Sequence, residues 1–182
     1  GIAMENLYEE MLQALTEKMS SLYVSYRKRF VLSIPGASMF TPKRKNGEFT
    51  ALTDHMLTNH LRHKYAVAIY SGESASKFLC FDVDDGSADT VHTIIDRLAA
   101  LGIPQDKIYV SFSGGKGYHV ELFFDRLVYT SQLYALYGMV IEQVKLNPRK
   151  VEFRPTYGNA IKLPLSIHGK TGNVCWFVEP ET

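Results

Sequence analysis

The sequence predicts a layered α/β domain, and three observations support that prediction. The chain has 182 residues, 46% of them apolar, which suits one compact domain with a substantial core. Segments of helical periodicity alternate with short runs rich in β-branched and aromatic residues. No repeat or low-complexity segment interrupts this order. Such alternation is typical of a sheet covered by helices.

The first third of the chain is predicted to form two helices with a loop between them. Apolar residues from Leu7 to Leu22 recur at helical spacing and predict a helix over 5–30. Glycine and proline residues predict a loop over 33–50. A second helix is predicted over 53–63, with Thr53 as its N-cap.

The remaining elements alternate between strands and helices. Strands are predicted at 65–70 and 77–84, with a Gly/Ser turn between them. A helix capped by Ser87 or Asp89 follows, and Gly102 stands where a C-terminal cap belongs. The later elements are a strand at 107–112, a glycine-rich loop, a strand at 118–124, a helix from Thr130, and short strands at 150–154, 160–163 and 173–178.

Composition excludes several classes of protein. The net charge is only +1, so any phosphate site has to be a local patch. Cys80 and Cys175 both lie in apolar, strand-like surroundings, which argues against a disulfide framework or a cysteine-rich zinc site. Reduced core thiols, the lack of a membrane-spanning apolar run and the lack of a signal peptide lead us to expect a cytoplasmic protein without a membrane partner.

Two carboxylates stand two residues apart in the predicted strand Phe81-Asp82-Val83-Asp84. Because side chains alternate along a strand, Asp82 and Asp84 share one face, while Phe81 and Val83 point into the core. Neighbouring like charges are unfavourable unless a cation lies between them, and Mg²⁺ or Mn²⁺ prefers oxygen ligands. The pair therefore predicts a site for one or two metal ions that serve phosphoryl transfer. The alternative is a solvated strand end.

A glycine-rich segment, Ser113-Gly114-Gly115-Lys116-Gly117-Tyr118-His119, joins two predicted strands. Its glycines let backbone N–H groups approach an anion, and Ser113, Lys116 and His119 add a hydroxyl, a cation and an imidazole. The segment is not a Walker P-loop, because Val110 stands where that motif needs its first glycine. We expect it to bind phosphates. The alternative is an ordinary hairpin turn with a buried histidine.

A third acid, Glu152, lies between apolar residues in a later predicted strand. It would complete the metal site, or it is a surface acid on an edge strand. Lys162, His168 and Lys170 follow and are weaker candidates for contacts with phosphates. A zinc site is not favoured, because no cysteine or fourth ligand accompanies the three histidines of the second helix, His55, His60 and His63.

In this order the three motifs resemble those of the archaeo-eukaryotic primase superfamily, also called primase-polymerases. The chain resembles in particular the stand-alone bacterial members, including those of CRISPR-associated and conflict-system proteins, and the resemblance covers roughly residues 30–178. Phe81–Asp84 fits the family's hDhD strand, where h is apolar, and Ser113–His119 fits every fixed place of S-G-x-x-G-x-H. Val151-Glu152 fits the third motif, with Glu in place of the commoner Asp. Further similarity lies in Asn59-His60-Leu61 and in Ile161-Lys162-Leu163-Pro164-Leu165 followed by His168 and Lys170.

The resemblance implies an RRM-like sheet packed against a second α/β module, with the active site in the cleft between them. It implies a DNA primase or template-dependent polymerase of DNA replication or repair, which uses two Mg²⁺ or Mn²⁺ ions. The substrates would be ribo- or deoxynucleoside triphosphates on a single-stranded or primed DNA or RNA template. The catalytic metal ligands would be Asp82, Asp84 and Glu152, and the nucleotide-binding residues Ser113, Gly114, Lys116, Gly117, His119, Lys162, His168 and Lys170.

The expected organisation is an N-terminal helical segment over 1–30 and a catalytic domain over 31–182. We interpret Gly1-Ile2-Ala3 as the remainder of an expression tag. The abrupt end leads us to expect a piece of a longer protein that carries a helicase or other domains. Two other functions compete: a catalytically silent nucleic-acid-binding module on the same fold, and a metal-dependent nuclease. The intact acids argue against the first, and the glycine-rich loop argues against the second.

Overall fold

The computed structural model describes residues 1–113, 115–165 and the backbone of 177–178. The helices in this part of the chain are α1 (Ile2–Tyr23), α2 (Asp54–Leu61), α3 (Ala88–Ala100) and α4 (Thr130–Gln143). The strands are β1 (Phe30–Ser33), β2 (Ala66–Ile69), β3 (Ala75–Val83), β4 (Ile108–Phe112), β5 (Tyr118–Tyr129), β6 (Val151–Arg154), β7 (Ile161–Lys162) and β8 (Phe177–Val178).

The strands form two antiparallel sheets. The smaller sheet has the order β1-β2-β7, and the larger has the order β6-β3-β5-β4-β8. Helices α3 and α4 pack on the larger sheet, and α1 also contacts β3 and β5 of that sheet, while α2 packs on α1 and on β2. A helix-covered sheet with a second, smaller module confirms the predicted α/β fold class.

The main core lies on the α3/α4 side of the larger sheet. Phe81 and Val83 of β3 are completely buried there, as the alternation of the strand predicts. They join Ile94 and Leu98, which lie on the apolar stripe of α3 and are also fully buried. Burying side chains of this size contributes roughly 1.5–3 kcal/mol each, so this face fixes the orientation of β3.

A second core fills the space between α1 and both sheets. The ring of Tyr23, at the end of α1, lies 4.9 Å from the rings of both Phe78 and Phe123. Phe78 is on β3 and Phe123 is on β5, so the contact ties α1 to the two central strands. The α1 side of the larger sheet is therefore apolar around Phe78 and Phe123.

The predicted first helix was too long. Helix α1 ends at Tyr23, and Val24 is already extended with φ −95° and ψ 112°. Residues from Phe30 form β1, a strand that the sequence pattern did not indicate. The side of α1 that packs carries Leu12, Thr16 and Met19, whereas Leu7, Met11 and Leu15 of the predicted stripe are exposed.

Local capping signals were more reliable than the apolar stripe of α1. The Thr53 hydroxyl accepts a hydrogen bond from the Met56 N–H at 3.3 Å, so Thr53 caps α2 as predicted. Ser87, rather than Asp89, caps α3, since its hydroxyl accepts from the Thr90 N–H at 3.3 Å. Strand β5 continues to Tyr129, five residues beyond its predicted end at 124.

The remaining expectations concern the cysteines, the last strand, membrane-spanning helices, the cellular location and the domain boundary. Cys80 is a buried free thiol as expected, and Cys175 lies outside the described residues. Residues 173–176 of the last predicted strand also lie outside them, although its final two residues form β8. Across the described part of the chain, no helix has the length and apolar character needed to cross a membrane. The cytoplasmic location and the division at residue 30 stay predictions.

Candidate active site

The three predicted acids meet at one end of the larger sheet. Asp82 and Asp84 lie at the end of β3, and the antiparallel register of β6 sets Glu152 directly opposite Asp82. The ladder continues one step further, because the Asp84 N–H donates to the Lys150 carbonyl at 2.8 Å. One oxygen atom from each carboxyl group lies within 4.8 Å of the other two. This arrangement can hold a metal ion.

The close approach of the acids has an electrostatic cost. Directly opposed like charges on neighbouring strands are unfavourable. Partial desolvation, the charge of Asp82 and a hydrogen bond with Glu152 raise the pKa of Asp84 to about 6. A proton or a bound cation relieves this repulsion, and near neutral pH a divalent cation is the more effective of the two.

Two basic groups flank the acids. His119 of β5 lies opposite Asp82, with its Nε2 3.4 Å from an Asp82 carboxylate oxygen. Burial alone lowers the pKa of His119, but the hydrogen bond and charge of Asp82 outweigh it and raise that pKa above its usual value. On the other side Arg154 donates to Glu152 at 2.9 Å. The row His119–Asp82–Glu152 therefore crosses three adjacent strands and ends at a guanidinium.

Asp85 belongs to the fold rather than to the acidic cluster. One of its carboxylate oxygens accepts a hydrogen bond from the Ser87 N–H at 2.9 Å. The other accepts from the Thr90 hydroxyl at 2.7 Å. Both bonds hold the turn that leads into α3, so the acid that follows Asp84 in the sequence stabilises a helix start.

The glycine-rich loop lies against the end of β3. The Ser113 N–H donates to the Gly117 carbonyl at 2.9 Å, and the Gly117 N–H donates to the Ser113 hydroxyl at 3.1 Å. A Cβ atom at Gly117 would lie 2.8 Å from the Val83 carbonyl oxygen and 3.5 Å from Oδ1 of Asp84. Glycine is therefore required here for the loop to approach the acids.

The turn after β3 meets the same loop. Gly86 has φ +70°, and a Cβ atom there would lie 2.9 Å from the Lys116 carbonyl oxygen. A side chain at this position would push the loop away from the acids. The side chain of Lys116 is exposed, whereas that of His119 is 7% exposed, so the strand fixes the imidazole and the loop carries the ammonium.

Four other residues were predicted to bind the nucleotide, and only one of them lies in the described part of the chain. Lys162 lies on β7 of the smaller sheet, opposite Ala68 of β2. Gly114, His168 and Lys170 lie outside the described residues. The structure thus brings Asp82, Asp84, Glu152, Ser113, Gly117 and His119 together.

The three histidines of the α2 region have separate partners, in line with the argument against zinc. His60 is fully buried; its Nδ1 accepts from the Val67 N–H at 2.9 Å, and its Nε2 donates to the Pro164 carbonyl at 2.7 Å. His55 contacts Asn59 at 3.3 Å, and His63 contacts the Leu165 carbonyl at 3.1 Å. Burial lowers the pKa of His60 to about 4, so it is a neutral structural residue.

Sequence reasoning missed two charged neighbours of the site. Arg154 follows Glu152 by two residues, and Glu121 follows His119 by two, so period-two alternation would have found both. Glu121 is 2% exposed and accepts from the Ser111 hydroxyl at 3.4 Å. The Tyr23 hydroxyl of α1 also interacts with its carboxyl group. A buried acid therefore stands behind His119, between the acidic cluster and α1.

Comparisons with solved structures agree with this fold. The AEP domain (PP-N190) of the primase-polymerase of cyanophage S-2L aligns at a TM-score of 0.54 with 16% identity, covering 86% of this chain and 82% of that one. The polymerase domain of ligase D from Mycobacterium tuberculosis, solved in complex with DNA, aligns at 0.56 with 14% identity, covering 89% and 76%. At these identities the likeness concerns the fold alone.

Sequence comparison gives the family. No curated protein matches the chain significantly. A family model described as "TOTE conflict system, Archaeo-Eukaryotic Primase domain" matches residues 13–182, which include every residue of the acidic cluster and of the glycine-rich loop. With that match and the shared fold, the chain belongs to the archaeo-eukaryotic primase domain family of TOTE conflict systems.

Proposed function

We propose that the chain is a metal-dependent nucleotidyltransferase that joins nucleoside triphosphates on a DNA or RNA template. The observation that supports this most strongly is the convergence of Asp82, Asp84 and Glu152 within 4.8 Å, beside the glycine-rich loop. A carboxylate cluster next to an anion-binding loop is the arrangement that phosphoryl transfer needs, because that reaction depends on positioning and on charge neutralisation.

The acids fit Mg²⁺ or Mn²⁺. All three offer oxygen atoms, the donors that hard divalent cations prefer, and their mutual repulsion is relieved by a cation. When bound, such ions supply Lewis-acid activation of a phosphate and neutralise the charge that develops on its oxygens. Arg154 holds one oxygen of Glu152 and so restricts the directions in which that carboxylate can point.

The loop and His119 would bind the triphosphate. The Ser113–Gly117 turn offers a hydroxyl and backbone groups close to Asp84, and Lys116 adds a mobile charge. His119, with its pKa raised by Asp82, is a cation or a strong hydrogen-bond donor for phosphate oxygens. We assign Lys162, and Gly114, His168 and Lys170 from outside the described residues, to the same nucleotide on the strength of the motif.

The family supports a proposal for the biological setting of the activity. Its description names a conflict system, and we propose a role there in place of general replication or repair. The DNA in the ligase D polymerase structure supports a nucleic-acid partner for this chain. A helicase partner stays an expectation, with no support from the fold or the comparisons.

Primer extension tests the proposal. Purified protein is incubated with a labelled primer on a template, with NTPs or dNTPs, and with Mg²⁺ or Mn²⁺. Asp82→Ala and Asp84→Ala should abolish incorporation, while Asp106→Asn, an exposed acid outside the cluster, should leave it unchanged. Mn²⁺ should raise the melting temperature of the wild type but not that of the two cluster variants.

The outcomes separate the competing functions. Normal extension by Asp82→Ala or Asp84→Ala would contradict the assignment of the acids. A wild-type protein that binds the template without extending it would be the silent binding module. Shortening of the labelled primer with Mn²⁺ would indicate a nuclease.

A further inference from the structure

One end of the smaller sheet gathers cations and aromatic rings. Strand β1 begins there at Phe30, which pairs with Ile69 at the end of β2. Residues just before Phe30 and just after Ile69 therefore lie side by side. The loop after β6 joins them, because the Ser71 N–H donates to the Thr156 carbonyl at 3.1 Å. We call this region the basic–aromatic end.

Its centre is a guanidinium between tyrosine rings. The Cζ atom of Arg29 lies 4.1 Å from the ring centroid of Tyr70 and 4.9 Å from that of Tyr157. Arg29 also donates to the Tyr157 backbone carbonyl, and the Tyr26 ring meets the Tyr157 ring edge-on at 5.8 Å. These contacts fix the Tyr157 ring in place, yet the residue remains 43% exposed.

A basic hairpin starts at the same end. Phe40 pairs antiparallel with Leu32, so the chain after Phe40 runs back toward the start of β1. It then forms a hairpin over 42–50, in which Lys43 pairs with Phe49 and its Nζ lies 5.6 Å from the Phe49 ring centroid. Phe49 is 47% exposed. The return strand ends beside residue 27, where the Leu52 N–H donates to the Arg27 carbonyl.

Cations outnumber acids at this end, where the acids are Asp54, Glu48 of the hairpin and Glu73 near Tyr157. Arg27 forms an ion pair with Asp54 at 2.8 Å, which neutralises that one cation. Over the described ranges, no ion pair involves any of four exposed cations: Lys28, Lys43, Arg44 and Lys45. On a chain whose net charge is only +1, this is the local patch that phosphate binding requires.

The combination of charge and rings selects the ligand. Cations alone would suit any polyanion, but exposed rings held among cations match a strand whose bases are unpaired and free to stack. In a duplex the faces of the bases are already stacked on one another, and an acidic protein segment would be bound by the cations without the rings. A strand bound here can reach the acids, because Tyr157 follows Glu152 by five residues and thus lies at most about 18 Å along the chain from it.

We propose that the basic–aromatic end binds single-stranded nucleic acid, with phosphates on Lys43, Arg44 and Lys45 and bases stacked on Tyr157 and Phe49. The identity of this strand as the template rests on the proposed function. The binding itself does not, because it needs neither metal ions nor nucleotides.

The stacking part is tested by fluorescence anisotropy of a labelled oligothymidylate, without metal ions or nucleotides. Tyr157→Ala and Phe49→Ala should each weaken binding roughly 5-fold to 100-fold, the range for loss of one stacked base. Tyr157→Trp should bind at least as tightly as the wild type. Tyr8→Ala, which removes another exposed tyrosine, on α1, is the matched control and should bind normally.

The electrostatic part is tested by salt dependence. The slope of log Kd against log salt changes by about 0.7 for each phosphate of a single strand that the protein no longer neutralises. Arg44→Ala/Lys45→Ala should therefore flatten the slope by about 1.4 in all, whereas Lys18→Ala/Lys107→Ala, with equal charge loss elsewhere, should leave it unchanged. Circular dichroism of each variant checks that the fold is intact.

The proposal and the proposed function fail separately. Wild-type affinity in the ring variants, or equal slopes for the two cation pairs, would overturn the proposal even if the protein extends primers. Duplex DNA or polyglutamate that competes as well as the single strand would also overturn it. Weakened binding in the variants of a protein that extends nothing would support the surface and refute the polymerase.

Discussion

Glu121 allows a quantitative test of how the buried side of the site is built. Its carboxyl group is 2% exposed, and burial raises its pKa from an ordinary 4.5 to about 7. The imidazole of His119, the nearby Tyr23 hydroxyl and the hydrogen bond from Ser111 offset part of that rise. The perturbation is Glu121→Gln, which keeps the shape of the side chain and one acceptor oxygen but removes its ionisation.

The expected magnitude follows from linkage. A group whose pKa is raised in the folded state stabilises the fold fully below its unfolded pKa and loses that contribution as the pH rises through its folded pKa. For Glu121 the window runs from about pH 4.5 to slightly above pH 7. A rise of the pKa from 4.5 to about 7 corresponds to roughly 3 kcal/mol. The free energy of unfolding of the variant relative to the wild type should therefore rise by roughly 2–3 kcal/mol between pH 5 and pH 8.

Urea unfolding at several pH values, in the presence of a chelator, measures this difference. Titrations of groups that do not interact with Glu121, such as Asp84, cancel in the comparison, whereas the His119 pKa changes with the Glu121 charge and contributes to the measured difference. Glu142→Gln, an exposed acid on α4, is the control, and its curve should run parallel to that of the wild type. If the Glu121→Gln curve is also parallel to the wild-type curve, Glu121 does not titrate as a buried acid, and the reasoning is refuted.

Two further predictions concern histidines, one in the candidate site and one in the fold. His119→Ala should weaken nucleotide binding in the presence of Mn²⁺ by roughly tenfold to a hundredfold, because it removes a charge-assisted hydrogen bond. Lys116→Ala, at an exposed position, should weaken binding less. Equal losses of affinity in nucleotide titrations would contradict this order. His60→Ala leaves the Val67 N–H and the Pro164 carbonyl without their partner. The free energy of unfolding, measured by heat or urea, should therefore fall by roughly 2–5 kcal/mol. The control His55→Ala, at an exposed position, should lower it by less than about 0.5 kcal/mol.

Local rules predicted much of this site. The alternation in β3 identified Asp82 and Asp84 as neighbours on one face, with Phe81 in the core, because period two is a property of any strand. Thr53 was found as a cap because a hydroxyl at that place satisfies a nearby N–H whatever the fold. The importance of Gly117 followed from the motif, although only the structure shows that the Val83 carbonyl excludes a side chain there.

Non-local pairing set the limits of prediction. Nothing within Val151–Arg154 shows that β6 lies beside β3, or that its register sets Glu152 opposite Asp82. Strand β1 was missed because no glycine or proline marks the end of α1, and the strand exists through its pairing with β2. The basic–aromatic end depends on the same kind of pairing, since Arg29, Tyr70 and Tyr157 come from three distant segments.

The acidic cluster is held together by the core rather than by its own interactions. A slip of one residue in β3 would turn Asp82 and Asp84 into the core and expose Phe81 and Val83, so the burial of those two apolar side chains fixes the register. The same register brings Glu152 opposite Asp82 against their mutual repulsion. Apolar burial on one face of the sheet therefore maintains an unfavourable concentration of negative charge on the other. A cation that binds there removes a repulsion the fold has already imposed, which is why a site with few ligands can favour a divalent ion.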